Sequence, residues 1–152
     1  MLKKLLNEKT IQISDDLFDR KDWRKAITVA AQPLLEECVI KSTYVEAMIK
    51  NVEEAGPYIN IGPKIALAHA KSSNDVNQVG ISLLKTNSAV DLVNAEHPVT
   101  LWFVLAAPDD TSHLKLLQEL TQLLMDKDLL LQLNEASTIR AIADIIESVN
   151  IK

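Results

Sequence analysis

Residues 99–107 have the sequence VTLWFVLAA and form the longest apolar segment of the chain. Apart from Thr100, the segment is apolar on both faces of an extended chain, which is typical of a strand covered by other elements on both sides. It is far shorter than the roughly 20 residues of a membrane-spanning helix. The segment therefore predicts a buried strand at the centre of a sheet.

Shorter strand patterns precede this segment. Short apolar or alternating runs predict strands at residues 10–13, 58–61, 65–69 and 78–85. Gly62-Pro63 is expected to form the turn between the second and third of them. Apolar residues recur at helical spacing at the amino end, between the strands and after Pro108. Together these patterns predict an α/β protein in which helices cover a sheet.

Capping residues predict where several helices begin and end. Thr43 and Glu46 have the spacing of a capping box, and Gly56 before a proline is expected to end the helix that they begin. Thr138, or Ser137 just before it, is expected to cap the last helix.

A further helix is expected to begin after Asp22 as its N-cap, with apolar residues at spacings of three and four as far as Cys38. Pro33 is expected to kink this helix. Cys38 falls on the apolar face, which predicts a buried and unreactive thiol. The charged segment at residues 15–22 is expected to be a solvated loop.

Composition limits the classes of function. The chain has 152 residues and a formal net charge of −5, without a Gly/Ser-rich or Pro-rich linker, which predicts a single domain over residues 1–152. It lacks the basic field that binding to a phosphate backbone requires, so nucleic acid is not expected as a partner. The single cysteine excludes an intramolecular disulfide and fits a cytoplasmic protein. Residues 1–8 begin like a signal peptide, but Asn7, Glu8 and Lys9 end the apolar stretch short of the roughly 7–15 residues required, so export by that route is not expected.

Several common site patterns are missing from the sequence. It has no glycine-rich phosphate loop, no dinucleotide fingerprint and no nucleophile elbow. The three histidines show no metal-ligand spacing, and the cysteine is remote from them in sequence. Neither a metal nor another cofactor is therefore expected.

His69 is the strongest candidate for chemistry, because it stands at the end of an apolar strand between Ala68 and Ala70. Open sheets commonly carry their sites at strand ends, and small neighbours leave an imidazole accessible. The alternative is a core histidine held by a backbone carbonyl, which is the commoner case on the residues alone.

The other two histidines have weaker signals. His113 follows Thr111 and Ser112, either of which could cap a helix, so its ring is expected in a first turn. A helix amino terminus favours an anion and lowers the pKa of an imidazole, although an exposed residue without a role is the commoner case on the sequence alone. His97 precedes a proline and is expected in a loop.

Six segments match a known family in order and spacing: residues 44–48 (YVEAM), 56–59 (GPYI), 65–70 (IALAHA), 79–83 (VGISL), 99–107 (VTLWFVLAA) and 112–114 (SHL). In these segments the chain resembles the IIA domain of the mannitol-fructose type of the bacterial sugar phosphotransferase system. The GPYI segment and the Ala106-Ala107-Pro108-Asp109 run are most similar to ascorbate-specific IIA proteins. The resemblance implies a three-layer α/β/α sandwich with a mixed sheet flanked by helices.

The resemblance also implies a phosphocarrier function. His69 would accept a phosphoryl group from phosphorylated HPr and pass it to a cysteine of a cognate IIB component, for sugar uptake through a IIC permease. His113 would stabilise the phosphoryl group. Because a phosphoryl group carries roughly −1.5 to −2 charges, amide donors, His113 or a cation such as Lys71 or Lys64 would have to compensate it. A regulatory module of the same fold, controlling a protein partner through the phosphorylation of His69, is the alternative.

Two departures from the family pattern concern the site. Ala68 stands where many members have a proline before the active histidine, and Asn51 stands where mannitol-type members have an arginine. The arginine's role therefore does not transfer to this chain.

Overall fold

The computed structural model describes residues 1–14, 19–71 and 73–151, and within them five strands form one sheet. The strands are β1 (Ile11–Ser14), β2 (Asn60–Gly62), β3 (Lys64–Ala68), β4 (Gly80–Asp91) and β5 (Pro98–Ala106). Their order is β1-β4-β5-β3-β2, with β5 antiparallel to β4 and parallel to β3. The prediction of a central β5 in a mixed sheet is confirmed. Strand β4 is longer than the predicted segment at residues 78–85.

Six helices flank the sheet in the described part of the chain. They are α1 (Leu2–Leu5), α2 (Trp23–Glu36), α3 (Ser42–Ala55), α4 (Asp110–Leu124), α5 (Lys127–Glu135) and α6 (Ile139–Ser148). Helices α2 and α3 belong to one apolar cluster, and α1, α4, α5 and α6 belong to the other. This arrangement confirms the predicted three-layer sandwich. None of these helices has both the length and the apolar character to cross a membrane.

Strand β5 contributes to both clusters because successive side chains of a strand point to opposite faces. Leu101, Phe103 and Leu105 pack toward one layer of helices, whereas Trp102 and Val104 pack toward the other. The doubly apolar sequence is therefore explained by burial on both faces.

Helix α2 begins as expected after Asp22, whose side chain accepts a hydrogen bond from the Lys25 amide. Pro33 lies inside the helix, where it cannot bond the Val29 carbonyl one turn earlier. Gln12 of β1 compensates for this, since its side-chain amide donates to that carbonyl at 2.7 Å. The carbonyl that the proline leaves without a helical partner thus takes part in a contact between helix and sheet. The kink stays a prediction.

Two local predictions are wrong. Helix α3 begins at Ser42 without a side-chain cap, and the Thr43 hydroxyl donates instead to the Asp75 carboxylate at 2.7 Å. Cys38 is exposed rather than buried, with a φ of 57°. The helix ends before this residue, so the helical spacing that placed Cys38 on the apolar face no longer applies there.

Two further predictions concern the end of α3 and the charged segment at residues 15–22. Gly56 ends α3 with a φ of 88°, a conformation that suits glycine, and its amide donates to the Val52 carbonyl. Within the charged segment predicted to be a loop, Asp15 to Phe18 lie outside the described residues.

The amino end of α6 gives a direct test of the capping assignment. The Thr138 hydroxyl accepts a hydrogen bond from the Ala141 amide at 3.0 Å. Thr138→Ala is expected to lower the free energy of unfolding by about 1 kcal/mol, because that amide loses its partner. Denaturant unfolding would measure the loss. Ser137→Ala is the matched control and is expected to leave stability unchanged; equal losses in the two variants would contradict the assignment.

Candidate active site

His69 directly follows β3 and stands at the edge of the sheet where β3 and β5 both end. The last residue pair between these strands is Ala68 with Val104. The half-buried ring of His69 turns back on its own strand, and its Nδ1 lies 2.9 Å from the Leu67 carbonyl oxygen. A carbonyl can only accept a hydrogen bond, so Nδ1 carries the proton. The lone pair of a neutral ring is then on Nε2.

Tyr58 contacts His69 edge-on. The ring centroids are 5.9 Å apart and the ring planes are inclined by 84°. The β2–β3 hairpin creates this contact: Asn60 pairs with Ala66, and the Leu67 amide donates to the Ile59 carbonyl. Continuing this register brings Tyr58 level with the end of β3. Tyr58 is 47% exposed, so it packs against the imidazole without covering the site.

His113 reaches the same edge from the following helix. It lies in the first turn of α4, as predicted, and its ring centroid is 6.1 Å from that of His69, with the planes tilted by 55°. Burial is the main cause that lowers the pKa of His113, and the neighbouring His69 lowers it further, while Asp110 opposes them. The ring of His113 is therefore neutral at neutral pH and can donate one hydrogen bond.

The amino terminus of α4 is occupied by its own cap. Asp109, rather than Ser112 or Thr111, is the N-cap, and its carboxylate accepts a hydrogen bond from the Ser112 amide at 2.8 Å. Hydrogen bonds from the Ser112 amide and hydroxyl hold the pKa of Asp109 below its usual value. The prediction of a Ser or Thr cap is wrong, because an aspartate two positions before Thr111 takes that role. The terminus is consequently less open to an external anion than the sequence indicated.

The two histidines line one concave surface, which encloses a volume of about 470 Å³. Its lining residues are His69, Ala70, Lys71, Asp110 and His113. Lys71 brings positive charge and Asp110 negative charge to this surface. Lys64 lies at the other end of β3, roughly 17 Å away along an extended strand. The suggestion that Lys64 could compensate a charge on His69 is therefore wrong.

His97 is not part of this concave surface. It lies in the loop between β4 and β5, as predicted, and its Nδ1 is 2.8 Å from the side-chain oxygen of Asn60. The Asn60 amide nitrogen donates to the Gly62 and Ile65 carbonyls, so this histidine supports the β2–β3 turn. In the described part of the chain, no three His, Cys, Asp or Glu side chains are placed to hold a metal ion.

Tyr58 and Asp110 lie at this site but were not among the predicted site residues. The predicted turn at Gly62-Pro63 indicated a hairpin, but a register shift between Asn60 and Gly62 changes the residues that face each other. Counting outward from the turn therefore does not place Tyr58 correctly. For Asp110, its position beside the predicted start of α4 was the only available signal.

A family model describing EIIA 2 of the phosphoenolpyruvate-dependent sugar phosphotransferase system matches residues 4–149. Among curated relatives, the mannitol-specific cryptic phosphotransferase enzyme IIA component of Escherichia coli K12 is 32% identical over 126 residues, which cover 83% of this chain and 86% of the relative. The ascorbate-specific EIIA component of the same strain is 24% identical over 134 residues, covering 87% of each chain.

Solved structures share the fold. The solution structure of a mannitol-specific cryptic enzyme IIA from Escherichia coli has a TM-score of 0.85 at 30% identity, covering 95% of this chain and 97% of the other. Enzyme IIA for mannitol from the same organism, solved in complex with phosphorylated enzyme IIB, has a TM-score of 0.76 at 18% identity, covering 93% and 96%. The described chain therefore belongs to the EIIA 2 family of the phosphoenolpyruvate-dependent sugar phosphotransferase system, whose members are phosphotransferase components.

Proposed function

We propose that this chain is a phosphocarrier that takes a phosphoryl group on Nε2 of His69 from the phosphohistidine of HPr and gives it to a cysteine of a IIB component. The observation that carries the proposal is the hydrogen bond between Nδ1 of His69 and the Leu67 carbonyl. It fixes the tautomer and leaves the Nε2 lone pair as the nucleophile, on a concave surface shared with His113.

The acceptance step follows from this tautomer. The Nε2 lone pair of His69 attacks the phosphorus atom, a new P–N bond forms, and the P–N bond in HPr breaks with its electron pair returning to the HPr imidazole. The proton on Nδ1 stays in place and continues to donate to Leu67. Because a protonated ring is the better leaving group, the same hydrogen bond prepares the phosphoryl group for onward transfer. A cysteine thiolate of IIB then attacks phosphorus, and the bond to His69 breaks.

His113 is placed to assist both steps. Its ring lies beside that of His69, with 6.1 Å between the ring centroids, and both rings line the same concave surface, where a group on His69 would lie next to His113. A neutral imidazole can donate its N–H to a phosphoryl oxygen, and donors aimed at developing negative charge are a major source of rate enhancement. This geometry supports the assignment of His113 to phosphoryl stabilisation.

The charged side chains of Lys71 and Asp110, which line the surface, nearly cancel each other. A phosphoryl group carries roughly −1.5 to −2 charges at neutral pH. Lys71 is the cation that lines the surface, and Asp110 offsets part of its effect. With Asn51 in place of the family's arginine, this site holds its phosphoryl group with little fixed positive charge. We infer that the group is consequently easy to pass on.

Partner and sugar are further parts of the proposal. The fold shared with an enzyme IIA that was solved in complex with phosphorylated enzyme IIB supports a IIB acceptor. Ascorbate is the sugar that the sequence segments favour, but the mannitol-named relative shares more identity with this chain than the ascorbate-named relative. We therefore propose a sugar-uptake chain ending in a IIC permease, with IIB components for both sugars as acceptors to be compared.

His69→Ala is expected to abolish phosphoryl acceptance, because the variant lacks the nucleophile. Intact-mass spectrometry after incubation with phosphoenolpyruvate, Enzyme I and HPr would show the adduct on the wild-type chain and its loss in the variant. His97→Ala is the matched control and should still accept one phosphoryl group. Full acceptance by His69→Ala would overturn the proposal, whereas acceptance without delivery to either IIB would favour the regulatory alternative.

His113→Ala is expected to slow transfer by roughly 10²–10³-fold, the usual loss when one donor to a developing negative charge is removed. Rapid-quench measurement of transfer from phosphorylated HPr would give the rate. His113→Gln keeps an N–H donor and should recover part of it. A wild-type rate for His113→Ala would contradict the assigned role.

The pKa of His113 is expected to rise when His69 is phosphorylated. Before phosphorylation, burial and His69 disfavour the charged imidazolium and lower this pKa. A neighbouring phosphoryl dianion favours the cation and therefore shifts the pKa upward. Titration of the His113 ring signals by NMR in the two states measures the change, with His97 as an internal reference. An unchanged or lower value after phosphorylation would place the phosphoryl group away from His113.

A further inference from the structure

We infer that Tyr44 is a positioning residue for phosphoryl transfer, because its buried hydroxyl joins the backbone that follows His69 to the strand that leads to His113. The inference rests on the proposed function and adds a residue that contacts neither the phosphoryl group nor a partner protein.

The hydroxyl group of Tyr44 bonds both segments at once. The Ala70 amide donates to the hydroxyl oxygen at 3.0 Å. The hydroxyl has one proton to donate, and the Leu105 carbonyl is the nearest acceptor at 2.8 Å, with the Ala70 carbonyl farther away at 3.3 Å. Ala70 is the residue after His69, and Leu105 is the penultimate residue of β5.

The bridge lies just past the point where β3 stops pairing with β5, while Leu105 stays paired with Ile81 of β4. Residue pairing between β3 and β5 ends with Ala68 and Val104. Ala70 is buried, so its amide needs a partner that strand pairing no longer supplies. The Tyr44 hydroxyl provides that partner. The hydroxyl therefore connects the residue after His69 to β5 beyond the last residue pair of the two strands.

Tyr44 is itself firmly held. It lies in the first turn of α3, is only 1% exposed, and packs in the apolar cluster that also contains Ala68 and Ala70. Burial raises the pKa of Tyr44 to about 12, so the hydroxyl keeps its proton at physiological pH. The bridge is therefore a constant feature and not a pH-dependent one.

Transfer depends on what this bridge fixes. The phosphoryl group must meet Nε2 of His69 and the ring of His113 together, and small misplacements of reacting groups can cost up to about 10²-fold in rate. Without the bridge, the Ala70 amide would lose its partner, and the turn after β3 would be free to move relative to Leu105, which β4 still holds. His69 would then shift relative to His113. Because Tyr44 is buried, it cannot itself contact a docked partner protein.

The test compares Tyr44→Phe with Thr10→Val. Thr10 is a matched control: its hydroxyl also accepts from a backbone amide, that of Asn7, and donates to a carbonyl, that of Leu5, but it lies beside the edge strand β1. For Tyr44→Phe we expect kcat for transfer from phosphorylated HPr to fall about tenfold, with KM for HPr unchanged. Thr10→Val should keep the wild-type values of both. A wild-type kcat for Tyr44→Phe, or an equal fall in both variants, would overturn the inference.

A second measurement does not depend on transfer. Imidazole ¹⁵N spectra should show shifted His69 signals in Tyr44→Phe but not in Thr10→Val. Backbone hydrogen exchange should show faster exchange of the Ala70 amide in Tyr44→Phe only. If Tyr44→Phe does not fold, the wild-type chain can be used: a slowly exchanging Tyr44 hydroxyl proton with a nuclear Overhauser contact to the Ala70 amide is expected, and its absence would overturn the inference. A wild-type chain that accepts no phosphoryl group would instead overturn the proposed function, while these spectra would still test the bridge.

Discussion

The position of β5 between an antiparallel and a parallel neighbour is the constraint on which the rest of the structure depends. Because both faces of β5 are covered, its side chains divide between two apolar clusters and hold a layer of helices on each side. Its parallel pairing with β3 has a second consequence. The carboxyl ends of both strands meet at one edge, so the residues that follow each strand come together. His69 follows one of these strands, and the loop to α4 and His113 follows the other.

The site obtains its chemistry from backbone groups more than from charged side chains. The Leu67 carbonyl fixes the tautomer of His69, and the Ala70 amide and Leu105 carbonyl are linked through a buried tyrosine. The amino terminus of α4 is occupied by Asp109, so the helix contributes the position of His113 rather than an open set of amide donors. Such an arrangement suits a carrier, since a group that is held too strongly would not be released to the next protein.

Much of this site could be predicted from single residues and their neighbours. His69 stood out because it follows an apolar strand between two alanines, and the family resemblance added His113 as its companion. The prediction for Cys38 failed because helical spacing was continued past the end of α2. The capping box at Thr43 failed for a different reason. A hydroxyl that could cap its own helix found the Asp75 carboxylate, which is distant in sequence.

The sequence by itself determined the class of fold, the central strand and the identity of the candidate nucleophile, because these depend on local apolar patterns and on which residue ends a strand. The tertiary structure decided the tautomer of His69 and its edge-on contact with Tyr58. It also placed Lys64 away from the site and the Tyr44 hydroxyl between Ala70 and Leu105. Each of these depends on strand register or on a contact between residues far apart in the chain. Register changes with a single shift, such as the one between Asn60 and Gly62, and local pattern does not reveal such a shift.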